Sequence, residues 1–143
     1  MRHRWKNQFE LIEGNSLFHN KAREIFSTDS FFKNLKCFQE VPVIDLVPGY
    51  SYKLHRVDWY IDELHCCIEL MGIQHSKVVN YGNIGFDQAQ RDFREIQYRD
   101  SVKKEALVEA GYEYRIVGYK DYPGLSAEIL KRIIYNKGEP DER

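Results

Sequence analysis

Behind Asn15 and Ser16, apolar residues recur at Leu17, Ala22, Ile25 and Phe26, and the spacing predicts a capped helix running to about Ser27. Thr28 and Asp29 offer the cap of a second, short helix over Phe31, Phe32 and Leu35. From Val41 to Val47 the pattern becomes a short apolar run that predicts a strand, with Pro42 confined to its first residues or to an edge. Pro48-Gly49 marks a turn. Two further strands, Lys53–Ile61 and His65–Met71, are joined by the tight connection Asp62-Glu63-Leu64, and Gly72 ends the second. The glycines and asparagines of Asn80–Gly85 predict a loop. Phe86 to Ala110 reads as one long helix or a kinked pair, stopped by Gly111. Tyr112–Tyr119 predicts a last strand, and Ser126 begins a helix over Ile129, Leu130, Ile133 and Ile134. This order of elements predicts an α/β fold, a mixed sheet of four to five strands flanked by helices, and not a bundle or a sandwich.

A chain of 143 residues is one domain's worth, with residues 1–14 as a candidate N-terminal arm and 137–143 as a frayed tail. An apolar fraction of 43% with 14% aromatics supports a sizeable core and argues against disorder. The formal net charge of −1 counts against a protein that coats polyanions, since phosphate binding is carried by Lys and Arg. It leaves room for a carboxylate-rich centre with basic residues clustered elsewhere. Cys37, Cys66 and Cys67 have no zinc-ligand spacing and form no disulfide framework, so reduced thiols are expected. Neither a membrane-length apolar stretch nor a signal-peptide pattern is present, which predicts a soluble, cytoplasmic protein with no membrane partner.

Candidate chemistry concentrates in the hairpin Val57–Glu69. Alternation puts Asp58 and Tyr60 on one face of the first strand, and Glu69 and Met71 together on the return strand. A short connection brings Asp58 nearly opposite Glu69. Two facing carboxylates repel unless a proton or a cation lies between them. Oxygen ligands of this kind suit Mg²⁺, which keeps several waters and needs only one or two protein carboxylates. The spacing alone serves equally well a surface hairpin whose acids face water. Beyond the acidic strand stand Gln74 and His75, and the long helix presents Arg99, Asp100, Lys103 and Lys104. Asp100 and Lys103 are near neighbours on that helix, also the pattern of an ordinary solvated ion pair. Arg4 within Arg2–Lys6, and Lys77 in the loop after His75, are candidate contacts to a nucleic-acid backbone.

Asp58-Trp-Tyr-Ile, then Ile68-Glu69-x-x-Gly72-x-Gln74-His75, then Arg99-Asp100-x-x-Lys103, then Ala110-Gly111 before a strand, resembles the very-short-patch-repair-like branch of the PD-(D/E)XK nucleases. Within it the string is most similar to phage-type homing endonucleases with an E-D-x-H-D signature, and the resemblance spans about Val41 to Tyr119. It implies a restriction-endonuclease-like core and Mg²⁺- or Mn²⁺-dependent hydrolysis of DNA. Asp58 would be the central metal ligand and Glu69 a second one. His75, with Gln74, would serve as general base or as donor to the scissile phosphate. Asp100 would orient His75 or a metal-bound water, and Arg99 and Lys103 would contact phosphate. Met71 departs from the pattern, standing where relatives carry Lys or His. The N-terminal acidic ligand of relatives has no clear counterpart; the nearest register offers His19, with Glu24 further along the helix. Double-strand cleavage would favour a homodimer. The competing expectations are a structure-specific nuclease, such as a junction resolvase or mismatch nickase, and a catalytically silent DNA-binding module of the same fold.

Overall fold

The acidic hairpin forms the middle of a five-stranded sheet in a computed structural model that describes residues 5–73 and 85–136. The elements are β1 (Lys6–Asn7), α1 (Leu17–Thr28), β2 (Cys37–Pro42), α2 (Val43–Leu46), β3 (Arg56–Ile61), β4 (Cys66–Met71), α3 (Phe86–Glu109), β5 (Glu113–Gly118) and α4 (Ala127–Tyr135). The strand order is β1-β2-β3-β4-β5; the first three pairings are antiparallel and β4–β5 is parallel. A parallel pair needs a long crossover, and α3 lies within it. The mixed α/β architecture expected from the chain's pattern is therefore present.

Alternation along the central strands splits the core in two. Trp59, Ile61, Cys66, Ile68 and Val117 pack against Ala22 and Phe26 of α1 and Leu130, Ile133 and Ile134 of α4. Tyr60, Cys67 and Tyr114 face the other way, against Leu107 of α3 and Val43 and Leu46 of α2. The sheet is thus sandwiched between α1 with α4 on one side and α3 with α2 on the other. The three cysteines are free and buried. Among the described residues no helix is long and apolar enough to cross a membrane.

Several local expectations need correction. The strand foreseen at Val41–Val47 begins earlier, at Cys37, and stops at Pro42; Val43–Leu46 is a helical turn that buries Val43 and Leu46, three residues apart. The second helix shrinks to a 3₁₀ turn, Phe32–Asn34, because the Asp29 carboxylate accepts from the Phe31 and Phe32 N–H groups and Leu35 is already extended. Leu17, an apolar position of the predicted pattern, is 74% exposed, while Ser16 caps α1 as foreseen by accepting from His19 N at 3.1 Å. The long helix is a single element, and Gly111 beyond it adopts a φ of +96° that suits glycine. β1 was not foreseen. It is held by buried amides: Gln39 Nε2 donates to the carbonyls of Asn7 and Glu10 at 2.7 Å each, and Gln8 Nε2 donates to those of Phe26, Phe32 and Leu35. Most of the loop expected at Asn80–Gly85, and the tail from Lys137, lie outside the described residues.

Candidate functional site

Register places the acids side by side. Trp59 pairs with Ile68, so the next position outward sets Asp58 opposite Glu69. The strands do not continue as a plain ladder there. Asp58 N–H donates to Glu69 Oε1 at 3.2 Å, and Leu70 N–H donates to Asp58 Oδ2 at 2.7 Å, so each carboxylate takes a backbone donor of the other strand. On the far side of β3, Glu40 has a φ of +50°, interrupting β2 between the Gln39–Trp59 and Val41–Val57 pairs. Asp58 therefore sits where the sheet is distorted along both of its edges.

Glu69 is only 3% exposed, and α3 supplies its counter-charge. Lys103 Nζ lies 2.5 Å from Glu69 Oε2 and donates to the Arg56 carbonyl at 3.0 Å. The Tyr114 hydroxyl donates to the same Glu69 oxygen at 3.2 Å. These partners put Glu69 on the α3 side of the sheet, and alternation puts Met71, also buried, on that side with it. Burial, and then the charge of Glu69, push the Asp58 carboxyl up to about 8, although the Leu70 N–H and Lys103 pull the other way. Burial also raises the Tyr114 phenol, helped by the charges of Glu69, Asp100 and Asp58, which brings Asp100 to the same neighbourhood.

The pair is thus one positive charge short: Lys103 answers Glu69, and Asp58 needs a proton or a cation. Two hard oxygen donors, one buried and one half-buried, facing each other across β3 and β4, fit a hydrated Mg²⁺ or Mn²⁺, which asks for no more protein carboxylates than these. Among the described residues no three His, Cys, Asp or Glu side chains converge on one metal position.

The other candidates are dispersed. Lys103, expected at the surface against phosphate, is 7% exposed and turned into the sheet; Arg99 is exposed on α3, and Asp100 is half-buried. Gln74, His75, Lys77 and Arg4 lie outside the described residues. His19 occupies the opposite face, stacked on Trp59 with centroids 5.1 Å apart and its Nε2 2.9 Å from Gln39 Oε1. Burial holds its imidazole below the usual range. Glu24 is exposed on α1, on that same side of the sheet.

Tyr114 escaped the sequence reading, though β5 set parallel to β4 pairs it with Cys67 and so turns it towards Glu69. So did an aromatic wall beside α3. Tyr50 Oη lies 2.7 Å from His55 Nδ1, Tyr52 stacks on His55 at 4.6 Å, and the Tyr52 and Tyr98 hydroxyls are 3.2 Å apart. Burial, then Lys103 and Arg99, hold His55 below its ordinary pKa, which puts this wall next to the acidic centre. Tyr50 and Tyr52 also line a cleft of about 500 Å³ against Val102, Glu105 and Ala106 of α3.

Comparison with protein-family models, curated proteins and solved structures gives no match.

Proposed function

We propose that this chain is a metal-dependent DNA endonuclease with a restriction-endonuclease-like core, in the PD-(D/E)XK manner, and that Asp58 and Glu69 hold Mg²⁺ or Mn²⁺. One observation carries the reading: acids facing each other on neighbouring strands each take a backbone N–H of the other strand, where they break the ladder instead of extending into water. A divalent ion bound there supplies Lewis-acid polarisation of a phosphoryl oxygen and a more acidic water. Asp58 and Glu69 fix its position from a rigid sheet, and Tyr114 and the Asp58 N–H orient the Glu69 carboxylate. The exposed Arg99 offers a phosphate contact at the rim, near His55. Gln74 and His75 follow Glu69 by five and six residues, and the resemblance gives them the proton-transfer or phosphate-donor role, with Asp100 as their partner on α3. DNA is the substrate, a homodimer is the assembly that double-strand cleavage would favour, and the cytoplasm of a bacterial or phage-infected cell is the setting.

The test is conversion of supercoiled plasmid to nicked or linear forms, with and without Mg²⁺, beside Asp58→Ala. Activity that needs both the metal and Asp58 supports the reading. Equal behaviour of wild type and Asp58→Ala removes it. Linear, mismatched and branched DNA separate a homing or nicking enzyme from a structure-specific one. A silent DNA-binding module is the second reading, favoured by the buried, apolar Met71 on the face shared with Glu69. It is supported if the protein binds DNA and never cuts it.

A further inference from the structure

We infer that the cleft between segment 50–52 and α3 is a docking site for a protein partner, and that it receives an arginine side chain of that partner. The cleft is a different part of the molecule from the acid pair, and its role holds whether or not that pair binds a metal.

The cleft has a volume of about 500 Å³, more than one arginine side chain fills, so a stretch of main chain enters with it. One wall is aromatic and already braced. Tyr50 is buried, its hydroxyl lies 2.7 Å from His55 Nδ1, and its ring meets that of Tyr52 at 5.8 Å. Tyr52 stacks on His55 and is still 39% exposed. Rings fixed in advance lose little freedom when a guest stacks on them. The opposite wall is α3, where Val102 and Ala106 offer an apolar surface that suits the methylene stem of a long basic side chain. Glu105 and Glu109, exposed and one turn apart, bring two carboxylates to the same wall. Like charges at that spacing weaken a helix, so the pair gives the fold nothing. Among the described residues lining the cleft there is no cation, and charge complementarity therefore calls for a positive guest. Rings beside carboxylates favour guanidinium over ammonium, because guanidinium is planar and weakly hydrated, stacks on a ring and forks onto a carboxylate. A nucleic-acid strand does not suit. Rings that could stack a base stand beside two charges that repel its phosphates.

The probe is the blocked tripeptide acetyl-Gly-Arg-Gly-amide, titrated into the isotope-labelled full chain while backbone amide signals are followed by NMR. Saturable shifts are expected at Tyr52, Val102, Ala106 and Ala110, on the two walls of the cleft. The same peptide with citrulline keeps the shape without the charge and is expected to bind at least about tenfold more weakly. The lysine peptide keeps the charge without the plane and is expected to bind at least about threefold more weakly. Butylguanidinium, which lacks the main chain, is expected to bind at least about threefold more weakly than the arginine peptide. Glu105→Gln with Glu109→Gln should cost at least about tenfold for the arginine peptide, and Tyr52→Leu at least about threefold. These side chains are exposed, and unchanged signals from β3 and β4 report that each variant is folded. Each single Glu→Gln variant, with an expected loss of at least about threefold, carries the test should the double variant not fold.

The inference is overturned if the citrulline or lysine peptide binds as tightly as the arginine peptide, if the glutamates can be neutralised without loss, or if the shifts fall outside the cleft. Butylguanidinium that matches the peptide makes this a small-cation site and removes the protein partner. A short oligothymidylate that shifts the same signals at lower concentration than the peptide replaces the guest by nucleic acid and overturns the inference as well. Plasmid nicking enters none of these measurements, so their failure and that of the nuclease reading are separate.

Discussion

Replacing Glu69 by Gln tests the electrostatic account most sharply, because shape is kept and one charge is removed. Glu69 is buried and receives the Lys103 ammonium and the Tyr114 hydroxyl on one oxygen, and the Asp58 N–H on the other. Whichever way a glutamine amide is turned, its NH₂ group faces a donor. Lys103, 7% exposed, then keeps a charge with no carboxylate opposite it on Glu69's side. Removing one partner of a buried ion pair costs about 3–5 kcal/mol. For a chain of this size that lowers the melting temperature by about 10 °C or more. Asp58→Asn should behave oppositely. It removes a carboxylate whose nearest charge is like its own, so in metal-free protein at pH 7 its stability should equal or exceed that of wild type. Denaturant unfolding in EDTA of wild type, Glu69→Gln, Asp58→Asn and Glu69→Gln with Lys103→Met measures this. The double variant should recover much of the loss, with a coupling energy of about 2–3 kcal/mol. A loss below about 1 kcal/mol for Glu69→Gln, or an equal loss for Asp58→Asn, would refute the division of roles between the two acids.

Two predictions concern pH. The folded Asp58 carboxyl is raised from its ordinary value of 3.8 to about 8, so the folded state binds the extra proton and metal-free stability should fall as pH rises across that interval. Thermal melts in EDTA should show this fall, and Asp58→Asn should flatten it; the same slope in both would exclude Asp58 as its source. His19 is depressed by burial, so its contribution is present above its ordinary 6.5 and is lost as pH falls below it. His19→Gln should therefore weaken the acid-side loss while leaving the window from 6.5 to 8 unchanged, as melts over the same series would reveal.

The juxtaposition of Asp58 and Glu69 was legible in the chain because a two-residue period and a short connection leave little freedom: Asp62–Leu64 closes the hairpin, and register follows. The long helix and its Gly111 stop were legible for the same local reason. Lys103 was not. Its position near Asp100 on a polar helix looks like a solvated pair, and only the docking of α3 beside β3 and β4 buries it on Glu69. The turn at Val43–Leu46 was misread because apolar β-branched residues suit a strand, whereas burial three residues apart and the Val43 N–H bond to the His55 carbonyl favoured a helical turn. β1 depends on buried Gln8 and Gln39 amides reaching main-chain carbonyls 18 to 32 residues away, which no local pattern reports. His19 stood in a register that invited a metal role, yet the helix carrying it packs on the far face of the sheet.

The central claim is that Asp58 and Glu69 share one divalent ion. Crystals soaked in Mn²⁺ and measured at a wavelength where manganese scatters anomalously test it directly. One anomalous peak bonded to an oxygen of each acid is expected, and none in Asp58→Asn. Manganese elsewhere and none between the two acids, or a peak that persists in Asp58→Asn, would contradict it.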